Sequence, residues 1–104
     1  MTTTAKPLMP ARRALQALWV LQGHSFDGLR LTQIAERLGD SLPVTHRLLH
    51  VMADEGVVER IPGRDDFWRL TPRLVQVARA HQDECHRLQA ATEEFNQRYS
   101  RAPR

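Results

Sequence analysis

One cysteine, one lysine and no long apolar run set the first limits on this 104-residue chain. Cys85 has no second cysteine to pair with, so an internal disulfide is excluded and a reducing compartment fits. No stretch approaches the roughly 20 apolar residues that cross a bilayer. Met1 to Pro10 also lacks the apolar segment of a signal peptide. The expected location is the cytoplasm, with no membrane partner. A glycine-rich phosphate loop and a nucleophile elbow are missing too. Asp65-Asp66 falls in a turn and Glu93-Glu94 on a solvated helix, so neither is a carboxylate pair in a pocket. No enzymatic activity and no cofactor are expected.

The length allows one small domain with a single modest core. The net charge of +3 is mildly basic, which by itself does not establish nucleic-acid binding. Lys6 is the only lysine among fifteen basic side chains. Arginine suits bidentate contact with phosphate or guanine, although a GC-rich genome produces the same excess.

Residues 1–9, with three threonines and Lys6, read as a flexible arm. Pro10 suits the first turn of a helix over Ala11 to Gln22, whose apolar positions are Ala14, Leu15, Leu18 and Leu21. Gly23 stops it. Leu29-Arg30-Leu31 suggests a short strand. Thr32 is then the expected N-cap of a second helix with core positions Ile34, Ala35 and Leu38, closed by Gly39. Asp40 or Ser41 caps a third helix, which tolerates Pro43 in its first turn and ends at Gly56. Val57 to Ile61 and Phe67 to Leu70 read as two strands joined by a turn over Pro62 to Asp66. Thr71-Pro72 opens a last long helix with no breaker before Pro103. The expected fold is mostly α with a small β wing: a winged helix-turn-helix over 10–71, a C-terminal helix over 72–99 and a tail over 100–104.

Particular residues carry a family resemblance. Arg13-Ala14-Leu15 with Leu18, Leu31 through Gly39, His46-Arg47-Leu48-Leu49, Glu55 through Arg60, and Arg69-Leu70 with Pro72-Arg73-Leu74 follow one pattern. In these the chain resembles the N-terminal DNA-binding domain of the isocitrate lyase regulator (IclR) family of bacterial transcription factors. The resemblance implies a domain that lays its third helix in the major groove of DNA. Two departures stand out. The family carries small hydroxyl residues early in that helix, where this chain has Pro43 and Val44, which have no side-chain donor. The family also continues into a large effector-binding domain, where this chain has a single helix. A DNA-binding unit with no small-molecule effector is therefore expected.

In the third helix Thr45, Leu48, Leu49 and Met52 share one face by 3–4 spacing. A second register would bury Val44, Leu48 and Val51; the family pattern favours the first. Arg47 is exposed in both and is the leading candidate for a base or phosphate contact. Val44 is placed to touch a thymine methyl, and His46 flanks the same face. Arg64, after Pro62-Gly63, suits a minor-groove or backbone contact, although Asp65-Asp66 beside it repels phosphate. Arg12, Arg13 and Thr32 lie at helix starts, where backbone N–H groups also favour phosphate. His46 with His50, and His81 with Cys85 beside His86, have a four-residue ligand spacing. No further ligand completes either pair, so no metal site is expected.

Along the last helix Leu74, Ala78, His81, Cys85, Leu88, Thr92, Phe95 and Tyr99 recur at alternating spacings of four and three. That is a heptad seam, polar at His81 and Thr92. A helix of some 27 residues is about 40 Å long, and an apolar stripe of that length calls for a partner. The expectation is a homodimer that regulates transcription from double-stranded DNA, of bacterial or phage origin. The rival expectation is a winged helix repurposed for protein–protein interaction, which Pro43, Val44, Asp65-Asp66 and the low net charge favour.

Overall fold

A computed structural model describes residues 8–101 of the chain. Of the expected arm it includes only Leu8 and Met9, and Lys6 lies outside the described residues. The elements run α1 (Met9–Leu21), β1 (Leu29–Arg30), α2 (Leu31–Leu38), α3 (Leu42–Asp54), β2 (Val58–Ile61), β3 (Arg64–Leu70) and α4 (Arg73–Ser100). The strands form one antiparallel sheet in the order β1-β3-β2. This is the expected winged helix-turn-helix with a long last helix. The chain divides into two compact units, Met1–Arg73 and Leu74–Arg104.

In the first unit α1, α2 and α3 pack on one another and against the sheet. Their shared core holds Ala17, Leu21, Leu29, Ile34, Leu38, Leu49, Met52, Val58 and Trp68. Of the apolar positions expected in α1, Leu21 is buried and Ala14 and Leu18 pack half-buried on the core, but Leu15 does not. Ala17 is fully buried, whereas Leu15 and Trp19 are 57% and 64% exposed. Apolar residues cover more than one face of α1, so spacing alone admits either Leu15 or Ala17. The small Ala17 lets neighbouring elements come close, and so its side of the helix is the buried one.

α2 begins one residue before the expected cap. β1 pairs Leu29 with Trp68 and Arg30 with Phe67, and the chain turns straight into the helix at Arg30. Gln33 Oε1 accepts the Arg30 N–H at 2.9 Å, which satisfies a donor at the helix start. Thr32 therefore sits inside the first turn and is exposed. At the other end Gly39 adopts φ 72°, and Asp40 N–H donates to Ala35 O at 3.1 Å. A side chain with a Cβ is strained in that left-handed turn, which aims the chain into α3.

Ser41 Oγ accepts the Val44 N–H at 3.4 Å and caps α3, with Pro43 in the first turn. The helix stops at the expected Gly56, where Val57 N–H donates to Met52 O at 2.9 Å in a Schellman closure. The wing differs from expectation. Ile61 pairs with Arg64 around Pro62-Gly63 alone, so β3 starts at Arg64 and includes Asp65 and Asp66. Pro62 and Gly63 suit the two central positions of a tight turn, with Gly63 at φ 78°. The irregularity moves into the ladder, because Arg60 pairs with Trp68 while Ile61 pairs with Arg64. Asp65, Asp66 and Phe67 fall between those pairs as a bulge. After β3, Thr71 donates its hydroxyl to Gly56 O and accepts the Arg73 N–H, holding the end of the sheet against the end of α3.

α4 has 28 residues, none of them buried. Leu74 and Cys85 are half-buried, while Leu88, Phe95 and Tyr99 are 60–70% exposed. The expected tail begins one residue late, since Ser100 is helical.

Candidate nucleic-acid interface

The buried side of α3 fixes its outer side. Thr45 and Leu49 are fully buried, Met52 nearly so, and Leu48 is half-buried. That is the first of the two registers, and it leaves Val44, Arg47, Val51 and Asp54 exposed. Arg47 makes no hydrogen bond or ion pair among the described residues. Beside it runs an open, mainly apolar groove of about 710 Å³ between the start of α1 and α3. Met9, Pro10, Ala14, Val44, Leu48 and Val51 line it together with Arg47.

The other expected contact residues divide by their partners. Arg12 and Thr32 are exposed, each near the start of its helix. Arg13 is engaged within the fold. Its Nη1 donates to Leu38 O at 2.7 Å and to Gln16 Oε1 at 3.2 Å, and its Nε lies 3.1 Å from Asp40 Oδ2. It ties α1 to the turn between α2 and α3. Arg64 is also held: its Cζ stands 3.7 Å over the Phe67 ring, and its Nη1 donates to Asp27 O at 3.4 Å. It belongs to the first pair of β3 rather than to a long loop.

A cluster that spacing alone did not assemble joins α3 to the sheet. His46 Nε2 and His50 Nε2 are 3.2 Å apart, and Arg60 Nη2 lies 3.1 Å from each. Beneath them is the buried Trp68, its ring centroid 4.9 Å from the Arg60 Cζ and its plane nearly perpendicular to both imidazoles, with centroids at 5.6 and 6.4 Å. The four-residue step between the histidines was legible in the sequence. Arg60 and Trp68 come from different strands, and only the pairing of Arg60 with Trp68 brings them under α3. Period-2 alternation counted from the buried Val58 would have put Arg60 on that face.

Among the described residues no group of three or more His, Cys, Asp and Glu side chains is arranged to hold a metal ion. His81 and Cys85 stand as a pair on α4, Nε2 to Sγ 3.6 Å. Further along, Thr92 Oγ1 donates to Leu88 O, and Phe95 stacks on Tyr99 with centroids 4.5 Å apart. No described helix is long and apolar enough to cross a membrane.

The model of the IclR helix-turn-helix domain matches residues 10–62, from the first turn of α1 to the turn of the wing. No curated protein is similar enough to count as a relative. Among solved structures a point mutant of S. aureus MepR superposes with a TM-score of 0.51 at 23% identity. The match covers 84% of this chain and 70% of that one, and it is a likeness of fold.

Proposed function

The chain belongs to the IclR helix-turn-helix domain family, and from that premise we propose that it regulates transcription by binding double-stranded DNA sequence-specifically as a homodimer. The observation that carries this reading is the outer face of α3, where Arg47 stands exposed beside Val44, unpaired among the described residues. A guanidinium so placed can bind guanine O6 and N7 together, and a valine can meet a thymine methyl. His46 flanks them. Arg12 and Thr32 serve as phosphate contacts at helix starts. Arg64 reaches the duplex by leaving Phe67, whereas Arg13 contributes by fixing the turn before α3.

Assembly falls to α4, through Leu74, Ala78, His81, Cys85, Leu88, Thr92, Phe95 and Tyr99. Two copies related by a two-fold axis present two α3 helices to a palindromic site. In this reading residues 10–71 bind DNA, 72–99 dimerise, and the protein works in a bacterial or phage-infected cytoplasm without an effector. Selection of bound fragments from random duplexes tests it. The expected result is an enriched palindrome whose affinity falls steeply with salt, because phosphate contact releases counterions. Failure to enrich any sequence would overturn it.

A second reading draws on the groove. Its apolar walls, with Asp65 and Asp66 exposed on the wing, suit a protein segment better than a phosphate backbone. Binding of that kind would be largely insensitive to salt.

A further inference from the structure

We infer that His46, His50 and Arg60 form a proton-gated site for a phosphate oxygen, which in the working complex belongs to the DNA backbone. The inference rests on the DNA-binding reading proposed above.

Geometry supplies the first argument. Three side-chain nitrogens stand at the corners of a triangle with sides of 3.1, 3.1 and 3.2 Å. A single oxygen about 2 Å above its plane lies within ~2.8 Å of all three, the length of a charge-assisted hydrogen bond. The corners come from two elements, α3 and β2, so the triangle spans the join between the third helix and the wing.

Proton chemistry supplies the second. The guanidinium can only donate, so a neutral imidazole that accepts from it does so through an Nε2 lone pair, in the tautomer with its proton on Nδ1. A proton taken up at Nε2 turns that acceptor into a donor. With both rings protonated, three donors converge and none of them can accept. An oxyanion supplies the missing acceptor and the opposing charge together. The proton comes from solvent and returns to it on release, and no covalent bond changes.

The surroundings suit this role. Apart from the two rings themselves, Arg60 is the only ionisable group in hydrogen-bond reach of either among the described residues. Along α3, Arg47 and Asp54 are the nearest charged residues in sequence, both exposed. On the sheet, Glu59 pairs with Arg69, 3.4 Å between them, on the opposite side of β2 from Arg60. Below, the face of Trp68 offers its electron-rich ring to the Arg60 cation.

The test measures affinity for the selected duplex by fluorescence anisotropy between about pH 8.5 and pH 5.5, either side of the ordinary imidazole value near 6.5. Ionic strength is held constant and a chelator is present. Wild-type affinity should rise on the order of tenfold or more as pH falls, since the bound state takes up protons. His46→Gln/His50→Gln should flatten that rise. Arg60→Gln should weaken binding about tenfold across the range. Imidazole NMR supplies the second readout. The titration midpoints of His46 and His50 should move up when duplex is added, and further than with inorganic phosphate at tens of millimolar.

Duplex binding with the same pH slope in wild type and in the double-histidine variant overturns the inference and leaves the DNA-binding reading standing. Midpoints that rise with inorganic phosphate but not with duplex overturn the assignment to the DNA backbone. No duplex binding at any pH overturns the reading and the inference with it.

Discussion

Thr45 is wholly enclosed, yet its hydroxyl has no hydrogen-bond partner among the described residues. An enclosed and unpaired hydroxyl costs stability that a methyl of the same shape does not. Thr45→Val should therefore raise unfolding stability by about 1 kcal/mol in a urea melt. Gly28 is bounded on the opposite principle. It sits at φ 72°, and a Cβ there would come within 2.6 Å of Ile61 Cδ1 and 2.8 Å of Trp68 O. The far end of the Ile61 side chain can shift, but the Trp68 carbonyl belongs to the β3 backbone and cannot easily move. Gly28→Ala should cost about 2 kcal/mol or more by the same measurement, through backbone strain and overpacking together. Arg47 differs from both because it holds nothing in place. Arg47→Ala should leave the circular dichroism spectrum and the melt unchanged while weakening binding to the selected duplex by about 1–3 kcal/mol. Equal affinity in variant and wild type would remove Arg47 from the interface.

Beyond the shared apolar core, a few polar clamps join the elements at their ends. Arg13 joins α1 to the C-terminus of α2 through Leu38 O and to the following turn through Asp40, with both side chains about a quarter exposed. The carbonyl it caps is one of the orphan acceptors at a helix end, and the basic group also faces the negative pole of that helix. Arg13→Ala should cost about 1–2 kcal/mol of stability, with solvent screening keeping the ion-pair share small. A variant as stable as wild type would show that the clamp is ornamental. The wing is pinned in the same way, Arg64 and Arg30 lying against Phe67 at 3.7 and 5.1 Å. Its turn is two residues long, so little slack remains at the tip. That shortness limits how far Arg64 reaches without breaking its contact with Phe67.

For the whole molecule the proposed assembly rests on α4. Leu88 and Phe95 are the largest apolar side chains in the middle of the α4 seam, 63% and 60% exposed in the single chain. Side chains of that size are a poor match for water, and a second copy would cover them. Replacing both with glutamate should turn a dimer into a monomer by light scattering, while the winged domain keeps its own melt. The affinity lost for a palindromic duplex should then be that of linked binding, with half-site affinity little changed. A wild-type chain that is monomeric at tens of micromolar would overturn dimerisation through α4.

Order and type of the elements, the caps at Ser41 and Gly39, and the stop at Gly56 were set by the sequence itself. Each depends on neighbours a few residues apart, and local chemistry decides them. The exposed place of Arg47 was legible for the same reason, because a helix with Thr45, Leu49 and Met52 inside has Arg47 outside. Three things were decided only in the folded chain. Ala17 rather than Leu15 faces the core, because close packing selects among apolar residues that spacing treats alike. Arg13 and Arg64 are held by partners 25 to 37 residues away, at Leu38 and Asp27, so their availability to DNA depends on contacts that no local pattern records. The meeting of His46 and His50 with Arg60 over Trp68 required the strand register, which is fixed by the tight Pro62-Gly63 turn and the bulge after it. Local rules place a side chain on its own element; which side chains meet depends on how the elements pack, and that is a property of the whole core.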